Sequence, residues 1–393
     1  MNVILDFENI NSKSSLHQYL KEQLALPEYY GNNLDALHDA LAEKREPVSI
    51  CICHFDSLKQ VLGEYAEVLL QVLQDVGVTT EQTYLMCKDT PVYCIDTQKV
   101  LNEALLPGLM REKACNESFK RWMKCRYSSA TNSLARNLKG ITFGQGNRVI
   151  INKKTRAFSL SDCYWLKAGS CLDTFDNSSP YYNAFWKGKS EWRGEPIPTL
   201  YVGGALSKEW VSDKELQKCG DLQAEYDAIS LCKRCGIPVN DARLTEDGIV
   251  LYNFTSPELF LEQADESGHF DEDEFTDADI IREFGLPGVQ MLVIDAIVGN
   301  GDRHLGNFGW LRNADNGEYV KMAPLYDFDH ALDATGTNDR LLKSLLEIDE
   351  IYRDEVKRIL NVAVESDHSV FAKRAEAGLC MLQIGCGDGA WDR

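Results

Sequence analysis

Two runs of sequence set the architecture: Ile294-Asp295-Ala296-Ile297-Val298-Gly299-Asn300-Gly301-Asp302-Arg303-His304-Leu305-Gly306-Asn307-Phe308-Gly309, and Ala323-Pro324-Leu325-Tyr326-Asp327-Phe328-Asp329. The first opens with the end of an apolar segment, Val289 to Val298, which reads as a buried helix. Gly-Asn-Gly then forces the backbone round, because glycine takes the left-handed conformation that ends helices. Asp302 and Asn307 follow five positions apart on a loop, and Asp327 lies twenty residues further on. Carboxylate and amide oxygens spaced along loops suit a hard divalent cation that also holds phosphate, and a nearby carboxylate can take a proton from a hydroxyl.

Working upstream, Pro196-Ile197-Pro198-Thr199 reads as a rigid entry into a new unit, followed by Tyr201-Val202-Gly203-Gly204-Ala205-Leu206-Ser207-Lys208. Two glycines before Ser-Lys can bring backbone N–H groups close to phosphates, although the spacing is not that of a Walker A loop. Leu216-Gln217-Lys218 reads as a strand carrying a lysine, and Leu222 to Cys235 as a helix containing Glu225. A strand lysine paired with a glutamate on the next helix is the arrangement with which kinases hold the ATP phosphates.

Together, GNGDRHLGN and PLYDFDHA resemble the HipA family of bacterial serine/threonine kinases, including its shorter CtkA-like relatives, over about 160–380. The resemblance implies an α+β, bilobal, protein-kinase-like fold with ATP and Mg²⁺ as cofactors and a protein substrate. It implies that Asp302 orients or deprotonates the acceptor hydroxyl, that Asn307 and Asp327 hold Mg²⁺, and that Lys218 with Glu225 binds the ATP phosphates. Gly203, Gly204 and Ser207 would cover those phosphates, and Ser207 is the candidate for autophosphorylation. Arg303 and His304 are expected to pin the loop. The implied setting is a bacterial toxin–antitoxin or phage-defence system. Two alternatives remain open: a catalytically inactive kinase-fold scaffold, and a phosphoinositide-type lipid kinase, which shares the DRHxxN loop.

The first ninety residues read differently. Val3–Phe7, Val48–Cys53 and Thr83–Cys87 read as strands. Between them fall a helix near Leu16 capped by Ser14 or Ser15, a helix bearing Leu34, Leu37 and Leu41, and one long helix from Leu58 to Val72. Strands alternating with helices imply a parallel sheet. Leu24-Ala25-Leu26-Pro27-Glu28-Tyr29-Tyr30-Gly31-Asn32-Asn33-Leu34-Asp35-Ala36-Leu37 resembles the barstar family of intracellular ribonuclease inhibitors, over residues 1 to about 88. That implies a three-layer α/β domain with a small parallel sheet. It also implies that Tyr29, Asp35 and Asp39 contact a basic partner, a ribonuclease or an antitoxin. The family usually has tryptophan where this chain has His38.

Charge follows the same division. The 393 residues carry a net −20, resolved as −8 over 1–90, +9 over 91–170 and −21 over 171–393. So acidic a chain is a poor ligand for nucleic acid or anionic membrane. The basic middle includes Lys120-Arg121-Trp122-Met123-Lys124-Cys125-Arg126, read as a helix with its charges facing solvent or an acidic neighbour. The expected domains are 1–90, a connecting region 91–160, a kinase N-lobe 161–255 and a C-lobe 256–393. No signal peptide or long apolar span is visible, and the 13 cysteines fit reduced thiols in a cytoplasm. Cys232 and Cys235 read as structural thiols, Asp271–Glu274 as a solvated loop, and Gly385–Gly389 as a tail.

Overall fold

A computed structural model describes residues 2–7, 9–44, 49–53, 55–76, 79–80, 82–126, 155–169, 171, 173–184, 198, 206–271, 274–332 and 348–384. Gly203, Gly204 and Gly385–Gly389 lie outside them. The chain divides into two compact units, one of Met1–Asn102 with Leu166–Asp173, the other of Glu103–Trp165 with Thr174–Arg393.

In the first unit the order is β1 (Asn2–Asp6), α1 (Lys13–Gln23), α2 (Leu34–Ala42), β2 (Ser49–Cys53), α3 (Phe55–Leu62), α4 (Glu64–Asp75) and β3 (Thr79–Thr80). β1, β2 and β3 form a parallel sheet in that order. Leu5, Leu16, Leu20, Leu37, Leu58 and Leu69 are fully buried in one core between the sheet and its helices. Helix α1 starts earlier than expected. Ser12 is its cap, and Ser12 and Ser15 each accept from the other's backbone N–H at 3.1 Å. The single helix expected from Leu58 to Val72 is two, broken at Gly63, whose φ of +54° a helix interior does not tolerate.

Thr83–Cys87 is a strand, β4, but not the third of the parallel sheet. It turns back through Lys88, at φ +50°, into β5 (Thr90–Cys94), making an antiparallel hairpin that β6 (Lys99–Val100) extends. β7 (Tyr164–Ala168) completes this sheet in the order β6-β5-β4-β7.

The second unit begins with α5 (Gly108–Arg111) and α6 (Asn116–Cys125). Helix α6 buries Trp122 and Met123 and leaves Lys120, Arg121 and Lys124 exposed, while Arg126 at its end is buried on Asp162, so the basic run divides between solvent and an acidic neighbour. After α7 (Phe175–Ser178) come β8 (Lys208–Trp210), β9 (Glu215–Cys219), α8 (Gln223–Arg234), β10 (Ala242–Thr245) and β11 (Gly248–Tyr252). Their antiparallel sheet runs β10-β11-β9-β8. A second antiparallel sheet joins β12 (Leu259–Gln263), β13 (Gly309–Asn313) and β14 (Tyr319–Met322).

Around these sheets lie α9 (Ala264–Ser267), α10 (Asp277–Phe284), α11 (Leu286–Val298), α12 (Arg353–Val364) and α13 (Ser369–Ile384). Helix α11 is the axis of the core: every residue from Met291 to Val298 is buried, against α8, α12 and α13. Cys232 and Cys235 sit in this core on α8 and just past its end. Burial pushes both thiols up, Cys235 to about 11, so they are neutral packing groups.

One polar hub ties 104–108 to the second sheet. Arg312 on β13, fully buried, donates to the carbonyls of Gly317 (2.7 Å), Leu106 (2.8 Å) and Ala104 (2.6 Å), to Tyr164 Oη (2.9 Å) and to Glu262 Oε1 (3.1 Å). Glu262 also accepts from the Gly108 N–H and the Tyr319 hydroxyl. Gly317 has φ +75°, and a β-carbon there would lie 1.9 Å from the Ala104 carbonyl oxygen, so this crossing admits only glycine.

Candidate active site

Strand β9 and helix α8 place the first pair. Lys218 and Glu225 are each 1% exposed, and the ammonium donates to both carboxylate oxygens at 2.9 and 3.0 Å. From across the unit, Asp327 Oδ1 lies 2.7 Å from the same Nζ, with Asp329 at 3.5 Å. Burial alone would push the Lys218 ammonium down; Asp327, Glu225 and Asp329 more than reverse it, and it stays charged. Burial likewise opposes the Asp327 carboxylate, but Lys218 and Lys208 hold it well below the usual range. Glu225 goes the other way, raised chiefly by its own burial.

Asp327 occupies the left-handed region at φ +60°, a conformation rare outside glycine that concentrates at functional sites. It is held there from both sides. The Phe328 N–H donates to Glu225, and the preceding Tyr326 carbonyl accepts from Arg303 at 2.7 Å.

The loop after α11 is built on Arg303. Its guanidinium spans both Asp295 oxygens at 2.8 and 2.9 Å and donates to the Asn307 carbonyl at 2.8 Å. Burial works against that charge, and Asp295 more than offsets it. Arg303 thus fixes the loop to its helix and to the Asp327 segment together. His304 Nδ1 accepts from the Gly306 N–H, closing the turn. Within the loop, Asn307 Nδ2 donates to the Asp302 carbonyl at 3.0 Å, which leaves the amide oxygen as the atom that could meet a cation. Asp302 is half exposed, with His330 Nε2 3.5 Å and His304 Nε2 4.0 Å from its Oδ2.

The structure therefore gathers Lys218, Glu225 and Asp327 into one ionic cluster and binds the Asp302–Asn307 loop to it through Arg303. Ser207 lies one residue before β8, and its carbonyl accepts from the Cys219 N–H. Asp327 and Asn307 supply hard oxygen donors of the kind Mg²⁺ takes beside phosphate. Among the described residues no cluster of three or more His, Cys, Asp or Glu could hold a metal unaided, so water or phosphate oxygens would have to complete such a site. Four participants were missed in the sequence: Lys208, Asp329, His330 and Gln263, whose side-chain amide donates to the Gly306 carbonyl. Lys208 and the aspartate and histidine of DFDH stood inside the quoted runs; Gln263 gave no signal.

A second surface stands on the first unit. Tyr29 is 77% exposed, and Asp35 and Asp39 are both exposed one turn apart on α2. Tyr29 Oη donates to Glu43, just past the helix, and Asp35, Asp39 and Glu43 recur every four residues, which puts three carboxylates on one face. Beneath it, His17 is buried between the hydroxyls of Tyr30 and Tyr65.

That face and fold define a barstar-type domain, and residues 1–87 match the family Barstar (barnase inhibitor). The chain belongs to this family through its N-terminal domain. YrdF of Bacillus subtilis (strain 168), a candidate ribonuclease inhibitor, is 42% identical over 71 residues, 18% of this chain and 75% of that protein. Two solved structures are similar further along. HipA, in the Shewanella oneidensis MR-1 toxin–antitoxin complex with HipB and operator DNA, aligns at 12% identity and TM-score 0.48, covering 77% of this chain and 96% of that one. The Helicobacter pylori proinflammatory kinase CtkA aligns at 16% identity and TM-score 0.31, covering 45% and 90%. Neither likeness bears on chemistry, which the side chains themselves must carry. Among the described residues no helix is long and apolar enough to cross a membrane.

Proposed function

We propose that the chain is an ATP-dependent serine/threonine protein kinase, with an N-lobe at 161–255, a C-lobe at 256–393, and a barstar-like domain that binds a basic partner. The observation that carries this is Lys218, whose one ammonium bridges Glu225 and Asp327 at 2.7–3.0 Å. Phosphoryl transfer needs little covalent chemistry from a protein; it needs positioning and charge stabilisation. Lys218, aligned by Glu225, would bind the nucleotide phosphates, and Gly203, Gly204 and Ser207 would cover them. Asn307 and Asp327 would hold Mg²⁺, which supplies neutralisation of phosphate charge when bound. Asp302, exposed and steadied by the Arg303-braced loop, would accept the substrate hydroxyl's proton at Oδ2. The motif resemblance supports a toxin–antitoxin or phage-defence setting, with Ser207 a candidate for self-modification.

The test is label transfer from γ-labelled Mg-ATP to the protein and to a bacterial lysate. Asp302→Asn is expected to lower transfer about 10²–10⁴-fold while nucleotide binding persists; equal labelling of wild type and variant would sink the assignment. For the other domain, Asp35→Ala with Asp39→Ala is expected to weaken capture of a basic ribonuclease by roughly tenfold or more, because charged interface pairs carry energy out of proportion to their area. Capture measured by titration and left unchanged by both substitutions counts against this surface.

A further inference from the structure

Lys208 and Lys218 lie directly opposite each other on the antiparallel strands β8 and β9. Like charges so placed repel, and both side chains are buried, at 6% and 1% exposed. Three carboxylates compensate them. Lys218 holds Glu225 and Asp327 at 2.7–3.0 Å. Lys208 has no such close partner among them: its ammonium lies 3.4 Å from Asp327 Oδ1 and 3.9 Å from Asp329 Oδ2. The lysines are thus unequal. One is fixed by a bidentate pair, and the other leans on the carboxylate that a divalent cation would claim.

We infer that Lys208 is a second phosphate ligand, one that occupies the Asp327–Asp329 pair in the absence of metal and turns to the terminal phosphate of the nucleotide when a cation takes those carboxylates. This rests on the kinase reading of the site. A cation on Asp327 would repel the ammonium beside it, and a buried ammonium needs another anion within reach. In sequence it follows Ser207 directly, at the end of the Gly203–Ser207 run expected to cover the phosphates. Lys218, held on Glu225, has no comparable freedom.

The consequence is a pair of effects with opposite sign in Lys208→Met. Without nucleotide, Lys208 competes with metal, so Mn²⁺ followed by electron paramagnetic resonance should bind the variant several-fold more tightly than wild type. With magnesium, the β,γ-imido analogue of ATP should bind the variant about 10–100-fold more weakly by calorimetry, the loss expected for one charged contact. ADP, which lacks the terminal phosphate, should change by less than about threefold. Lys208→Arg, which keeps the charge, should recover part of the analogue's affinity. Thermal unfolding identifies a Lys208→Met variant that has lost its fold, and Lys208→Arg then carries the same comparison of analogue with ADP. Loss of ADP and analogue affinity in equal measure, no change in either, or Mn²⁺ binding that weakens in the variant would overturn the inference and leave the kinase reading standing. Wild-type protein that binds no magnesium nucleotide would overturn both.

Discussion

Replacing Lys218 by methionine is expected to abolish function and weaken the fold at once, and the two losses can be separated. Removing one partner of a buried, hydrogen-bonded charge cluster costs about 3–5 kcal/mol when the remaining charge has no outlet. Here there is an outlet. Burial already pushes the Glu225 carboxyl up, so it can take a proton when its cation goes, and the cost should fall at the lower end of that range. Nucleotide affinity should drop by about 10–100-fold, and phosphoryl transfer further still, because the same ammonium orders Asp327. Adding Glu225→Gln to Lys218→Met removes the uncompensated carboxylate. Thermal unfolding should recover much of the lost stability while transfer stays absent. A single variant that transfers phosphate within about threefold of wild type would remove Lys218 from the mechanism.

Arg312→Met is expected to be strongly destabilising without touching the ionic cluster. It would take the cation from Glu262, 2% exposed, and the donor from the Ala104 carbonyl, while Arg111 still reaches the carbonyls of Leu106 and Gly317. The cost is about 3–5 kcal/mol. For a unit of this size the unfolding temperature should fall on the order of 10 °C. Hydrogen exchange should quicken first at 104–108, which Arg312 holds through the Ala104 and Leu106 carbonyls and Glu262 through the Gly108 N–H. Glu262→Gln in the same background should restore part of the loss. A shift below about 3 °C would mean that the hub is replaceable by simple packing.

The sequence made the two ends of the ionic cluster legible and hid its middle. Asp302, Asn307 and Asp327 stand in contiguous runs where spacing reports a loop, and Lys218 and Glu225 stand on a strand and the next helix. Lys208 reads in the sequence only as the end of a Gly-Gly-x-x-Ser-Lys turn. Its alignment with Lys218 depends on strand register, which local spacing does not carry. Arg312 shows the same limit in the core. A charge inside Gly309-Trp310-Leu311-Arg312-Asn313 hints at a buried partner, but Glu262 is fifty residues away and meets it only through β12–β13 pairing. In the first unit the sequence misplaced punctuation rather than elements. Gly63 splits a periodic run because positive φ outranks helical periodicity, and Ser12 wins the cap because Ser15 can answer it. Thr83–Cys87 reads correctly as a strand but pairs in a different sheet from the one its spacing implies, since two residues at Thr79–Thr80 are too few to register as one.

The path of the chain through its two units bears on how such a protein could have been put together. The first unit is not one uninterrupted segment: Leu166–Asp173 returns to it after a long excursion through the second. A gene cut at residue 102 would leave the hairpin β4–β5 without the strand β7 beside it, and an unpaired edge of that kind invites association with other chains. The parallel sheet and its helices, by contrast, are complete by Thr80 and have a core of their own. The transferable cassette therefore ends near residue 80. The hairpin that follows clusters with the first unit but takes its fourth strand from 164–168, so a chimera that exchanges 1–80 should fold where one cut at 102 does not.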